Sequence, residues 1–383
     1  MPYLQVVFWY FAPYFMSRIR HFLFLVVVLL STFVAANAQV PESSWPSPEV
    51  EDMYKQGREY LMAGNFQQAI ITFQQGIQLA PNQLVLYRDL GKAYYLAGDY
   101  KNAQATLEPI LKSDQVDDIS FQTMAASQAA VGDKKKAKST LQKGLERFPN
   151  SGILYHDMGK LYEANNEFVY ALQTWLDGIH KDPAYHINYY EAARMYMDTK
   201  KVVWAIIYAE IFVNIERQTP RTDEMKSMLF DAYKQLYTTM PVAAVPKFGK
   251  KKAETDKDDN FEDAVRNTFM RLAPVVSDGI TTENLTMLRT RFLMDWDLRY
   301  AQKYPFSLFY YQDELIRSGN FDIYNEWLFG KADNEQEFEA WKKFHTEAMP
   351  QFDKWAAEHP IQPIAADFYN DMKVEDIFSK KKK

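Results

Sequence analysis

Small, aromatic and large apolar positions recur every 34 residues across residues 50–217, and no insertion disturbs the count. Ala69, Ala103, Ala137, Ala171 and Ala205 form one column. Gly57, Gly91, Ala125, Gly159 and Ala193 form a second, and Tyr60, Tyr94, Gln128, Tyr162 and Tyr196 a third. Phe73, Leu107, Leu141, Trp175 and Ala209 make a large apolar column whose last member is weak. A fixed period of this length predicts a helix-turn-helix unit used five times. Small residues in both helices allow close approach, and the large neighbours fill the remaining space. The turns carry their own signals. Gly64-Asn65, Gly98-Asp99 and Gly132-Asp133 each pair a glycine suited to the left-handed conformation with a residue suited to cap the next helix. Pro81, Pro149 and Pro183 close three of the units.

These columns resemble the tetratricopeptide repeat (TPR) family. Gly57, Tyr60, Gly64, Phe66, Ala69, Phe73 and Pro81 carry the resemblance most fully, and Leu90, Gly91, Tyr94, Gly98, Tyr100, Ala103 and Leu107 repeat it. Gln115 and Arg217 replace the closing proline, and Lys134 and Val202 replace the turn aromatic. The resemblance implies an all-α fold, a right-handed TPR helical solenoid. It further implies that the first helix of each unit lines a concave groove for an extended peptide or a partner helix. Residues three and four apart share that face. The candidate groove residues are therefore Tyr54 and Arg58 in the first unit, and Arg88, Lys92 and Tyr95 in the second. His156 and Lys160 follow in the fourth unit, and Tyr190 and Arg194 in the fifth. Arg58, Lys92, Lys160 and Arg194 make one column basic in four units of five. The expected ligand is a protein or peptide segment of acidic character, held by charge and by tyrosine packing. The rival reading pairs these cations with neighbours such as Glu59, Asp89 and Glu191. The asparagines of the carboxylate clamp in chaperone-binding members are missing.

The rest of the chain departs from the period. Residues 219–240 read as a terminal helix of the array, with Asp223 as its capping residue and Met225, Met228, Leu229, Tyr233, Leu236 and Tyr237 as its apolar stripe. Residues 50–240 thus hold five repeats and a cap. Residues 241–260 set three consecutive lysines beside four acids without apolar period, the composition of a charged flexible linker. Residues 261–375 are rich in aromatics at helical spacing, and we read them as a helical C-terminal domain. Phe338, Trp341 and Phe344 step by three, and Trp296, Tyr300 and Tyr304 step by four, as a core stripe does. Gly319-Asn320-Phe321 repeats the turn at Gly64-Asn65-Phe66 and suggests a degenerate repeat. Residues 376–383 form a basic tail.

The N-terminal end points to export. Arg18 and Arg20 precede an apolar run at residues 22–34, and Ala36, Asn37 and Ala38 offer a small-residue cleavage site before Gln39. That order reads as a signal peptide over residues 1–38, with Met16 a candidate start, followed by a linker at 39–49. The run is short for a membrane span. An uncleaved anchor is the alternative. The chain has no cysteine, so disulfides, thiol catalysis and a lipidated cysteine drop out of the expectation. Its net charge is −6, or −8 without the two arginines of residues 1–38. This balance speaks against a nucleic-acid binder. The six histidines show no zinc-ligand spacing, and no nucleophile-elbow, Walker or dinucleotide motif is present. We therefore expect no enzyme, cofactor or metal, but an exported, periplasmic scaffold peripherally associated with an envelope assembly or secretion complex. Two rival readings stand beside it. One is a ligand- or glycan-binding accessory subunit, or enzyme, acting through the C-terminal domain; the other is a periplasmic holdase chaperone.

Overall fold

The computed structural model describes residues 45–238, 260–370 and Val374. The signal-peptide region, most of the linkers expected at 39–49 and 241–260, and the basic tail lie outside them. The described residues are helical, without strands. By compactness the chain divides into two units, residues 1–90 and 91–383.

In the first unit, α1 (Pro48–Met62) packs against α2 (Phe66–Leu79). Ser47 caps α1 by accepting a bond from the Val50 N–H, and a proline sits in the first turn, where its missing N–H costs nothing. The small and large columns explain each other here. A Cβ added to Gly57 would lie 2.4 Å from the Phe73 ring. Glycine is needed because the ring occupies the place of a side chain.

Helix α3 (Leu84–Leu96) opens the second repeat, and α4 (Tyr100–Leu107) follows. In the second unit the pattern continues with α5 (Asp118–Ala130), α6 (Lys134–Arg147), α7 (Gly152–Glu163), α8 (Phe168–Lys181), α9 (Ile187–Asp198) and α10 (Val202–Ile215). A Cβ on Gly91 would meet Leu107 at 2.6 Å, and one on Gly159 would meet Trp175 at 2.1 Å. All five column alanines are buried. Helix α4 is short because Pro109 follows it. Proline cannot donate the next helical bond, and a 3-10 turn at Ile110–Lys112 takes over. The first helices α5, α7 and α9 contact one another in sequence, and from α4 onwards each second helix contacts the first helix of the next repeat.

The turn between paired helices has one geometry throughout. Gly64, Gly98 and Gly132 have φ of 75°, 79° and 86°, and Asn166 and Lys200 occupy the same repeat position at 59°. In each turn the N–H one residue beyond bonds back to the carbonyl of the tyrosine column, as from Asn65 to Tyr60 and from Lys201 to Tyr196 at 2.8 Å. This is the Schellman closure of a helix. Asp99 and Asp133 cap the following helices with their side chains, whereas Asn65 makes no such bond. Gly319, with φ 73° and a bond from the Asn320 N–H to the Leu315 carbonyl, reproduces the turn in the C-terminal part.

Helix α11 (Pro220–Thr238) follows the fifth repeat. Its start agrees with the sequence expectation, but Asp223 is not its cap. Thr219 caps it by accepting from the Thr222 N–H, and the Thr219 N–H bonds back to the Thr222 hydroxyl. Asp223 lies in the first turn, where an acid suits the helix dipole.

Beyond α11 come α12 (Phe261–Arg271), α13 (Thr282–Arg299), α14 (Ser307–Arg317) and α15 (Phe321–Asn325). A π-helical turn at Glu326–Gly330 leads into α16 (Lys331–Asp333), α17 (Glu335–Phe344) and α18 (Ala348–Glu358). One hydrophobic core runs from Ala171 to Val374 and joins these helices to repeats four and five. Helix α10 lies at its centre. It is apolar on every side and buried from Val202 to Asn214, because α9, α11 and α12 all pack on it. Trp296, Tyr300 and Tyr304 are core residues, as their spacing predicts. Phe338, Trp341 and Phe344 are not. No residue of α17 is buried and Phe344 is 86% exposed, since the outer helix has only one neighbouring layer to pack against. Among the described residues no helix is long and apolar enough to cross a membrane.

Candidate functional site

The candidate residues of the first unit gather around one buried acid. Asp89 accepts from Arg88 Nε at 2.7 Å and from Arg58 Nη1 at 3.3 Å. Arg88 Nη2 also donates to the Tyr54 hydroxyl at 3.3 Å. Tyr54 is fixed between Trp45 and Phe73, with ring centroids 4.7 and 6.4 Å away. The Arg88 side chain is mostly covered, while that of Arg58 stays 44% exposed.

In the second unit a second buried acid plays the same part. Glu191 on α9 receives Arg194 Nη1 at 2.8 Å and lies 3.3 Å from Lys160 Nζ and 3.7 Å from His156 Nε2. The packing of α7 beside α9 brings these residues together. Lys160 also reaches Glu163 at 2.5 Å, and His156 Nδ1 lies 2.8 Å from Asp157. Lys160 and Arg194 remain 40% and 41% exposed, and Glu191 only 7%. Burial works against the charged His156 ring, but the hydrogen bonds to Asp157 and Glu191 outweigh it and raise its pKa. Burial likewise works against the Glu191 carboxylate, and its three cationic neighbours overcome this and lower its pKa. Arg194 stands over the Tyr190 ring at 5.5 Å, and the Tyr190 hydroxyl donates to Glu224 at 3.0 Å. Lys92 and Tyr95 on α3 are half-buried, and the Tyr95 ring lies 5.7 Å from Tyr100.

Three of the four cations of the basic column, Arg58, Lys160 and Arg194, are thus seated on acids. Lys160, Arg194 and His156 face Glu163, Glu191 and Asp157, so the local charge is close to balanced. What the arrangement provides is orientation. A guanidinium has five N–H donors and an ammonium three, and the buried acid holds each head group while part of it stays at the surface. Of the acids named with the sequence pattern, Asp89 and Glu191 form such pairs; Glu59 does not.

A further polar cluster had no sequence signal. Arg289 on α13 is fully buried and bonds to Glu210 of α10 and to Asn325 of α15. Glu210 also accepts from Gln312 at 2.6 Å and from the Tyr324 hydroxyl at 2.8 Å. The Arg289 guanidinium lies 5.2–5.3 Å from the ring centres of Phe321, Tyr324 and Phe329. Arg289, Gln312 and Tyr324, which bond to Glu210, stand 79 to 114 residues from it in sequence, and no local pattern links them. The cluster is enclosed, so its role is to fix how α10 meets the C-terminal helices.

Helix-turn-helix repeats with shared packing columns place the chain among helical-repeat proteins, whose stacked units present extended binding surfaces. The family model for the tetratricopeptide repeat matches residues 60–127. No curated protein sequence matches the chain. Similar solved structures include TTC0263, a TPR protein of Thermus thermophilus, at 13% identity, covering 48% of this chain and 99% of that one with a TM-score of 0.40. PilF of Pseudomonas aeruginosa is 15% identical over 49% of this chain and 85% of its own, with a TM-score of 0.41. The first TPR domain of Spaghetti, bound to an HSP90 peptide, is 19% identical over 31% of this chain and 95% of its own, with a TM-score of 0.29.

Proposed function

We propose that the protein is an exported scaffold whose repeats hold a segment of a partner protein, within an envelope assembly or secretion complex. One observation supports the reading above others. Lys160 and Arg194 are anchored by a buried carboxylate and yet part-exposed, with Arg194 over the Tyr190 ring. Such a group has already lost side-chain entropy on folding, so it binds a ligand carboxylate at less cost than a free surface lysine. The partner segment is acidic or ends in a carboxylate, and competes with Glu163 for Lys160. Because exposed charge pairs contribute only about 0–1 kcal/mol each, charge orients the segment and tyrosine contacts supply affinity. The export half rests on residues 1–38 and makes Gln39 the first residue of the mature chain.

The test is a titration of an envelope-derived partner against wild type and a variant with Arg58, Lys92, Lys160 and Arg194 all replaced by glutamate. Wild-type binding is expected to weaken with salt as the Debye length shrinks towards about 8 Å. The variant is expected to lose at least tenfold in affinity, and also some stability because Asp89 and Glu191 lose their cations, so affinities are compared at a temperature where circular dichroism shows both proteins folded. Equal affinity and equal salt dependence in the two proteins would overturn the groove reading. An N-terminus other than Gln39 on exported protein would overturn the cleavage reading.

A further inference from the structure

Helix α13 is apolar on two sides. Leu285, Leu288, Phe292 and Trp296 turn into the core. Away from it stand Met287, Met294 and Leu298, with Met294 65% and Leu298 84% exposed. Steps of seven and four place these three on one stripe of the helix surface, about 17 Å long at 1.5 Å per residue. Scattered exposed apolar residues are ordinary, but a stripe at helical spacing on a helix whose other side is already buried has no use within this unit.

The stripe borders a cleft. Met287 and Met294 line a space of 770 Å³ together with Ile323 and Trp341. This is where the aromatic ring that the sequence assigns to the core comes to the surface instead. The charged lining is mostly acidic: Glu283, Asp322 and Glu326 against Arg291 and His345. A second space of 510 Å³ shares Glu283, Glu326 and Trp341 and adds Asp333 and Glu337. Glu283, Asp322, Glu326 and Glu337 form no ion pair among the described residues. Burial, and then the charge of Asp333, raise the Glu326 carboxyl above its ordinary pKa, with His345 opposing. Arg291 and His345 stand in the lining without pairing with these acids among the described residues, unlike the cations held directly by Asp89 and Glu191.

We propose that the α13 stripe and its acidic cleft dock a basic amphipathic helix of a partner protein. Its apolar face lies along Met287, Met294 and Leu298, and its lysines or arginines pair with Glu283 and Glu326. Methionine side chains adapt to the shape of such a helix. The surface prefers the opposite charge to that proposed for the repeat groove, and does not depend on that reading.

The test uses the full chain and a fluorescent synthetic helix of about 18 residues, or about five turns, with leucines at helical spacing and lysines elsewhere. A control peptide carries glutamate in place of lysine. Anisotropy is expected to show saturable binding of the lysine peptide, at least tenfold tighter than the glutamate peptide and weaker in high salt. The variants Met294→Glu/Leu298→Glu and Glu283→Lys/Glu326→Lys change only surface positions and part-exposed Glu326. Each is expected to weaken binding at least tenfold with unchanged circular dichroism, whereas Asp231→Lys on α11 leaves it unaltered. Absence of binding, equal binding of both peptides, or equal loss in the Asp231→Lys protein overturns the proposal. Self-association of the wild type that Met294→Glu abolishes also overturns it, by making a second copy the occupant.

Discussion

Glu191 shows how one residue can organise several. Its carboxylate is buried, and three cationic side chains from α7 and α9 satisfy it. Glu191→Gln keeps the shape and removes the charge. Hydrogen bonds to charged groups contribute about 1.5–3 kcal/mol, and the cations here are part-exposed, so a loss near about 1–2 kcal/mol is expected in urea unfolding. The pH dependence has two limits. His156 has a raised pKa in the folded protein, so its contribution is complete below the ordinary 6.5 and is lost as pH rises through the raised value. Glu191 has a lowered pKa, so its contribution is present above the ordinary 4.5 and is lost as pH falls through the lowered value. In Glu191→Gln, an NMR titration of His156 is expected to show a lower pKa than in wild type. An unchanged value would mean that Asp157 alone holds the ring.

At the level of elements, the helix pairs are set by matched columns. Alanine is ordinarily favoured over glycine in a helix interior by about 0.8–1.0 kcal/mol. At Gly159 the sign reverses. A methyl group there would meet the Trp175 indole at 2.1 Å, and the indole cannot retreat, since it is fully buried and its Nε1 donates to the His156 carbonyl at 3.2 Å. Gly159→Ala is expected to cost about 1–3 kcal/mol, the range of overpacked cores, with a fall in melting temperature. A stabilised Gly159→Ala protein would show that Trp175 has room to move. Column residues were legible because each is a local consequence of close helix approach. The turns were legible only in part. Glycine announces a left-handed residue at positions 64, 98 and 132, but Asn166 and Lys200 adopt the same conformation without that signal. There the packing of the two helices imposes the turn, and the residue accepts strain of about 1–2 kcal/mol.

For the second unit, the buried pair of Glu210 and Arg289 joins the repeats to the C-terminal helices. Arg289→Met leaves Glu210 charged and short of a partner in the core, and is expected to cost about 3–5 kcal/mol. Adding Glu210→Met removes the stranded charge and is expected to recover part of that loss, because two apolar groups of similar size pack where two ions had to be desolvated. Denaturant unfolding of both variants checks this. A double variant no more stable than the single would place the cost in Tyr324 and Gln312, which also bond to Glu210.

The sequence by itself determined the repeat period, the five helix pairs and the small and large columns, because these follow from contacts within 34 residues. It also placed the candidate cations on the first helices. It did not reveal that Asp89 would hold Arg58 and that Glu191 would hold Lys160 and Arg194, although both acids were in view as neighbours. That required knowing which face of α9 meets α7. Tertiary structure alone decided that α10 is surrounded, that Arg289 reaches Glu210 across 79 residues, and that Trp341 and Phe344 leave the core that Trp296 enters. Periodicity says that a helix has an apolar face. Only the helices packed around it decide whether that face is covered, since burial depends on neighbours distant in the chain.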